Sequence, residues 1–378
     1  MRGQLIKKGE NKWLVKLALG RDTQTGKRRF HTKMIHGPKK DAQKYLTALT
    51  RDRDLGTLVA PVTFTYNEFL DRWVEAVARP RVRERTLADY VHKIDKYIRP
   101  TLGGMKLTDI RPLHIQLLYG KLLERGISRT VRYVHLIISF SMKYAVKLRM
   151  LPGNPAEVVE LPRRERKEMK AFSQEEAVRF LKAAAGDKYE ILFAVALTTG
   201  MRPEEYLGLQ WKDVNVGKGT VTVQRTLVLR KGGGWYFGEP KTSRSRRTIP
   251  LPASVLRSLA THRRKQLERK MEVSAGYQDN DLIFATGEGS PLNIRNITTR
   301  HFKLVLKRAG LPEKFRLYDL RHSCATLLLS ANEHPKVVSE RLGHANITLT
   351  LDTYSHVLPS MQQAATERLE MLLFQAAG

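Results

Sequence analysis

The stretch LPRRERKEMK, residues 161–170, carries seven charged side chains in ten positions and shows no apolar period. Such a segment has no face to bury. It reads as an exposed linker, and the chain has to fold as separate bodies on either side of it. At 378 residues there is length for two or three domains, each with its own core. The part before the linker itself changes period near residue 60, from alternation to helical spacing.

Residues 1–58 read as a small β-sheet plus a helix. In KWLVKLAL, Trp13, Val15, Leu17 and Leu19 fall on one face, with Lys12, Leu14 and Lys16 on the other. After a turn containing Asp22 and Gly26, RRFHTKMI alternates again: Phe30, Thr32 and Met34 share one face, Arg29, His31 and Lys33 the other. The following KKDAQKYLTALTRD takes helical spacing through Ala42, Tyr45, Leu46 and Leu49. A ribbon with one cationic face can enter a DNA major groove, and it can equally be the solvated face of an edge sheet.

Residues 62–160 read as all helical. The first helix carries Tyr66, Phe69, Leu70, Trp73 and Val77 on one stripe behind an expected N-cap at Thr63. The second runs through Leu87, Tyr90, Val91, Ile94 and Ile98 and is expected to stop at Arg99-Pro100. The third is expected to start from a cap at Asp109 or Thr108 and to stop at Gly126; the fourth opens at Ser128 and runs to PGNP. Arginines along all four point to a small DNA-clamping domain, with the aromatic stripes as its core. Beyond the linker, residues 171–378 begin with a capping box at Ser173 and Glu176. A buried helix ending at Gly200 follows, then a small antiparallel sheet, then helices again after Pro252. The fold class is therefore mainly α with small β-sheets (α+β).

Lysine and arginine number 67 against 37 aspartates and glutamates, a net charge of +30. The excess is spread along the chain: +10 over residues 1–60, +8 over 61–165 and +12 over the rest. A polyanion touching every domain is the simplest partner, and nucleic acid fits best. Binding to a membrane surface is a weaker fit, because no single amphipathic helix concentrates the charge. There is no run of 18 apolar residues and no signal-peptide start, so an intracellular protein is expected. The one cysteine, Cys324, excludes an intramolecular disulfide and a cysteine-based zinc cluster in one chain, and reads as a small core residue.

Four short motifs beyond the linker carry residues suited to chemistry. In TTGMRPEEYLGLQW, Arg202 and Glu205 are three apart and can pair, which alone would be an ordinary surface ion pair. In EPKTSRSRRTIPL, Lys241 stands at a hairpin tip with Arg244, Arg246 and Arg247, which alone would be a solvated turn. In LYDLRHSCATLLL, Tyr318 and Arg321 share a helical face opposite a stripe of Leu320, Cys324, Leu327 and Leu328; His322 reads as helix packing. In LGHANITLTLDTYSHV, His344 follows a helix-ending glycine, and Asn346 or Thr348 caps a helix carrying Tyr354. Together they suit attack on a phosphodiester. Arginines stabilise the charged oxygens, tyrosine forms a reversible ester, and a lysine protonates the departing 5′-oxygen. With arginines neutralising that charge, neither metal nor other cofactor is expected.

In order and spacing these motifs resemble the tyrosine recombinases, in particular integrases of phages and integrative mobile elements. The resemblance extends to TFTYNEFLDRW and LGGMKLTDIRPLHIQ in the middle segment, and it covers nearly the whole chain. It implies an arm-site DNA-binding domain (1–58), a core-site DNA-binding helical domain (62–160), a linker (161–170) and a catalytic domain (171–378). It also implies that Arg202 and Arg321 grip the scissile phosphate, Lys241 is the general acid, His344 supports the phosphate and Tyr354 is the nucleophile, with Glu205 in support. Tyr318 departs from the family, which commonly has histidine there. A phenol, ionising near pH ~10, is the poorer base, so a hydrogen-bonding role is expected instead.

As implied partners there are double-stranded DNA attachment sites, core and arm, three further copies of the chain, and accessory DNA-bending or directionality factors. Expected DNA contacts are Lys12, Lys16, Arg29, His31, Lys33, Arg244, Arg246 and Arg247. The implied location is the cytoplasm of a bacterial host, at the nucleoid when active. A dimer-resolution recombinase is the alternative, against which the extra basic sheet counts. A non-cleaving architectural or regulatory DNA-binding protein is another, against which the complete set of reactive positions counts.

Overall fold

The computed structural model describes residues 3–21, 26, 28–54, 64–163, 169–230, 233–240, 243–354 and 359–374. The chain forms two compact units, Met1–Glu165 and Arg166–Gly378, and the boundary falls within the charged stretch 161–170. Among the described residues no helix is long and apolar enough to cross a membrane.

In the first unit, β1 (Gln4–Gly9), β2 (Lys12–Arg21) and β3 (Arg28–His36) make an antiparallel sheet in that order, and α1 (Lys39–Asp54) packs on it. The register pairs Val15 with Lys33 and Leu17 with His31. Residues opposite one another on antiparallel strands share a face. His31 and Lys33 therefore lie on the side of the buried Val15 and Leu17, which is the side that α1 covers. The His31 Nε2 is 3.2 Å from the Tyr45 hydroxyl, and the Lys33 ammonium is 4.7 Å from the Tyr45 ring centroid. This corrects the expected groove-facing surface of Arg29, His31 and Lys33: His31 and Lys33 face the helix, and the Arg29 side chain lies outside the described set. Alternation divides each strand into two faces, but only the docking of α1 decides which one is covered. The open face carries Lys12 and Lys16 instead, with the Lys16 ammonium 4.1 Å from the Phe30 ring centroid.

Four helices follow: α2 (Tyr66–Trp73), α3 (Glu84–Lys93), α4 (Pro112–Glu124) and α5 (Ser128–Lys147). The cap of α2 is Thr65, whose N–H donates to Glu68 at 2.6 Å; the expected cap Thr63 lies outside the described residues. The second helix does not stop at Arg99-Pro100. It continues from α3 in a wider π register, Ile94–Gly103, with Pro100 inside it. A π turn already departs from the i→i−4 ladder, so a residue without an N–H is tolerated there. Leu107–Asp109 forms a separate 3₁₀ turn, and Arg111 precedes α4 with its N–H donated to His114 Nδ1 at 3.1 Å. Neither Thr108 nor Asp109 is therefore the cap. Tyr66, Trp73, Ile98, Tyr119 and Ile138 lie in the core, where the Tyr66 and Ser141 hydroxyls are 2.7 Å apart.

In the second unit, α6 (Gln174–Ala184) starts from the Ser173–Glu176 capping box. The buried α7 (Glu190–Thr199) ends at Gly200 with φ +64°, and α8 (Pro203–Tyr206) follows directly. Strands β4 (Val214–Asn215), β5 (Thr220–Val223) and β8 (Arg247–Pro250) pair as β4-β5-β8, while β6 (Thr226–Leu229) and β7 (Trp235–Gly238) form a hairpin. Helices α9 (Ala253–Val273), α10 (Ile294–Ile297) and α11 (Lys303–Arg308) lead to α12 (Asp319–Ser330), α13 (Pro335–Leu342), α14 (Ile347–Tyr354) and α15 (Pro359–Phe374). The chain between α9 and α10 is not continuously helical and includes two isolated β-bridges, Gln210–Leu282 and Ala285–Pro291. In place of one buried stripe, α12 is buried on all sides from Asp319 to Ala325, while Leu327 and Leu328 are only half-buried. Leu369, Leu372 and Leu373 of α15 are exposed in the single chain.

Gly200 holds a left-handed backbone, and a Cβ there would meet Leu342 Cδ2 at 2.7 Å. Gly200→Ala is expected to cost about 1–3 kcal/mol, read as a lowered midpoint in urea unfolding.

Candidate active site

Three polar helix ends converge around one buried guanidinium. Arg321, in the first turn of α12, is 2% exposed, and its Nη1 donates to the Gly200 carbonyl at 2.8 Å while Nη2 donates to the Leu342 carbonyl at 2.7 Å. Those carbonyls close α7 and α13, whose ends both turn through a left-handed glycine, Gly200 and Gly343. Helix C-termini present unpaired carbonyls and the negative end of the dipole, so they are suited to holding a cation. Burial first, then the charge of Arg202, pushes the Arg321 guanidinium down to about 10, which leaves it protonated at neutral pH.

Arg202 follows Gly200 by two residues and caps α8. Its Nη1 donates to Glu205 Oε1 at 2.8 Å and its backbone N–H to Oε2 at 2.9 Å. This is no surface pair, since the Glu205 side chain is only 1% exposed. Glu205 also accepts from Arg247 Nη2 at 2.9 Å. Burial works against its charge, but Arg247 and then Arg202 outweigh that and hold the carboxyl below its usual range.

The expected DNA contact at Arg247 is overturned by this geometry. Its guanidinium is inside the protein and spent on Glu205, the Arg341 carbonyl and the Ser245 carbonyl, so it ties β8 to the end of α13. Arg244, which is exposed, donates to the Ala345 carbonyl, and the exposed Arg246 lies 3.4 Å from Glu239. Lys241 lies outside the described residues.

His344 follows Gly343. It is half-buried, with Nδ1 2.8 Å from the Thr350 hydroxyl. Burial, then Arg321, Arg202 and Arg247, lowers its imidazole to about 4, so it is neutral. Asn346 caps α14 by accepting the Thr348 N–H at 3.0 Å. At the far end of that helix Tyr354 is 1% exposed, and burial raises its phenol above the ordinary value. The half-buried Tyr318 precedes α12, and its ring centroid is 5.3 Å from that of His322.

The residue that sequence reasoning set aside is His322. Its Nδ1 is 2.7 Å from the Tyr354 hydroxyl, and both groups are buried. No local pattern links two residues 32 apart; adjacency to Arg321 was the only signal. The arrangement thus offers two accessible-to-buried arginines, a neutral imidazole and a phenol bonded to a second imidazole. That set can bind a tetrahedral anion and attack it. Glu205→Gln should destabilise the unit by about 3 kcal/mol, seen in equilibrium unfolding, because two arginines lose their shared carboxylate.

A model of the "Phage integrase family" matches residues 170–361, and one of the "Phage integrase, N-terminal SAM-like domain" matches residues 65–123. A tyrosine recombinase XerC-like protein of Caldanaerobacter subterraneus subsp. tengcongensis is 31% identical over 97% of this chain and 98% of its own length. The fold is similar to that of the Tn1549 transposon integrase in complex with a circular intermediate DNA, with a TM-score of 0.69 and 21% identity over 81% of this chain and 100% of that one. It is also similar to the lambda integrase tetramer bound to a Holliday junction, with a TM-score of 0.58 and 19% identity over 92% of this chain and 94% of that one. On the match over its second unit and the near full-length relative, the chain belongs to the phage integrase family of tyrosine recombinases, enzymes that cut and rejoin DNA.

Proposed function

We propose that the chain integrates and excises a mobile element by strand exchange at attachment sites, with Tyr354 as nucleophile. The supporting observation is that Arg202, His344 and Tyr354, each from a different element, gather around the buried Arg321 guanidinium. In cleavage the Tyr354 oxygen bonds to phosphorus and the bond from phosphorus to the 5′-oxygen breaks. The product is a 3′-phosphotyrosyl ester that stores the bond energy for rejoining. Negative charge building on the nonbridging oxygens is met by Arg202 and Arg321. In the His344 tautomer where Nδ1 accepts from the Thr350 hydroxyl 2.8 Å away, the imidazole proton is on Nε2 and donates to the phosphate. Lys241 gives the departing 5′-oxygen its proton, and the Tyr318 phenol donates a hydrogen bond.

The DNA-bound neighbours, one solved as a tetramer on a Holliday junction, support DNA as substrate and a homotetramer as the working assembly. The exposed leucines of α15 are then the surface that packs on the next copy. The first segment, with Lys12 and Lys16 on its open face, serves arm sites, and the helical 62–160 segment serves core sites. Accessory factors would set direction.

The test is a nicked duplex carrying the element's junction sequence. Wild type should give a covalent protein–DNA band on a denaturing gel and Tyr354→Phe none; a band from Tyr354→Phe would overturn the reading. Lys241→Ala should slow cleavage of ordinary DNA by about 100-fold or more, yet spare a 5′-thiolate leaving group. Equal losses on both substrates would remove the general-acid role.

A further inference from the structure

The nucleophile's proton has no obvious destination in the roles above, because a tyrosine stands at position 318. Tyr354 is 1% exposed, so bulk water does not reach its hydroxyl in this structure. The one hydrogen-bond partner that hydroxyl has among the described residues is His322 Nδ1, at 2.7 Å. The imidazole is itself 6% exposed and lies between two rings, with centroids 5.3 Å from Tyr318 and 5.9 Å from Tyr354. Its other nitrogen, Nε2, is buried and has no protein partner among the described residues, so the bond to Tyr354 is the one hydrogen bond there that bears on which nitrogen carries the proton. A nucleophile and a nitrogen base in direct hydrogen-bond contact form the standard activating pair.

We infer that His322 is the general base: it takes the proton of Tyr354 as the tyrosyl oxygen bonds to phosphorus. The inference rests on Tyr354 being the nucleophile. In cleavage the Tyr354 O–H bond breaks, the proton moves to His322 Nδ1, the oxygen–phosphorus bond forms, and the departing 5′-oxygen is protonated by Lys241. In rejoining, a 5′-hydroxyl attacks phosphorus and passes its proton to Lys241, and the Tyr354 oxygen leaves and recovers its proton from His322.

The charges around the imidazole fit this cycle. Facing it are Asp319, Arg321 and Arg316 from α12 and the turn before it, Tyr318 at the head of α12, Tyr354 from α14, and His344 from the turn between α13 and α14. Burial first, then Arg321 and Arg316 against the opposing Asp319, lower the imidazole to about 4, so at neutral pH it is unprotonated and able to accept. Charge building on a phosphate beside Arg321 offsets that guanidinium's push, so basicity rises at the moment of attack.

The experiment measures single-turnover formation of the covalent complex on the nicked junction duplex between pH 5 and 9, together with rejoining from the trapped complex. The wild-type cleavage rate should be level across neutral and alkaline pH. His322→Gln and His322→Asn should both slow cleavage and rejoining by about 100-fold, with rates that climb steadily with pH as hydroxide substitutes for the base. Asn keeps a hydrogen-bonding atom beside Tyr354 but cannot take a proton, so wild-type rates in His322→Asn would overturn the inference in favour of packing. Faster cleavage in either variant would overturn it in favour of a restraint on the tyrosine. Should neither variant fold, a wild-type rate that climbs log-linearly to pH 9 would overturn it as well. A covalent band from Tyr354→Phe would instead sink the nucleophile assignment on which the inference stands.

Discussion

A guanidinium taken out of water has to be given oxygen atoms in place of the water it leaves, and that requirement organises the second unit. Arg321 meets it with carbonyls at the ends of two helices, Gly200 after α7 and Leu342 at the end of α13. Truncating either helix, or turning it without a left-handed glycine, would move a carbonyl away and leave a buried charge short of a partner. Arg202 stands two residues past the first carbonyl and His344 two past the second. The same contacts that satisfy Arg321 therefore deliver the other anion-binding groups to it. The site is therefore complete only where these helices are docked.

Electrostatics follow from the same cluster. Arg202 and Arg247 share the single carboxylate of Glu205, and Arg321 has only neutral carbonyls. The protein leaves the cluster with surplus positive charge, and an incoming phosphate completes it. Burial, reinforced by that surplus, keeps His344 neutral, and burial keeps His322 neutral against the opposing Asp319. One imidazole can then act as a donor at one nitrogen, and the other can accept a proton.

Local signals in the sequence were legible. The Ser173–Glu176 box, the helix ends at Gly200 and Gly343, and the aromatic stripe of α2 depend on residues a few positions apart, and each stands as read. What failed depends on distance. Alternation does not say which face of the first sheet α1 covers, and the helix lies on the side of His31 and Lys33, not opposite it. Pro100 reads as a stop only if the helix keeps α geometry. Arg247 lies 42 residues from Glu205, and in isolation an arginine in a basic hairpin looks solvated. The contact between His322 and Tyr354 has the same origin, with two helices brought together by packing. Lys241, outside the described residues, keeps only its sequence argument.

The chain's single thiol sits inside this cluster, one helical turn from Arg321. Cys324 is buried, its sulfur 3.6 Å from the Thr198 carbonyl, and burial pushes the thiol up to about 11 despite the arginines nearby. A thiolate in so cationic a neighbourhood would ordinarily be a target for oxidants and alkylating reagents. Kept protonated and sealed from solvent, this sulfur is inert while α7 and α12 stay packed. The shielding of Cys324 therefore depends on the same packing of α7 against α12 that holds Arg321.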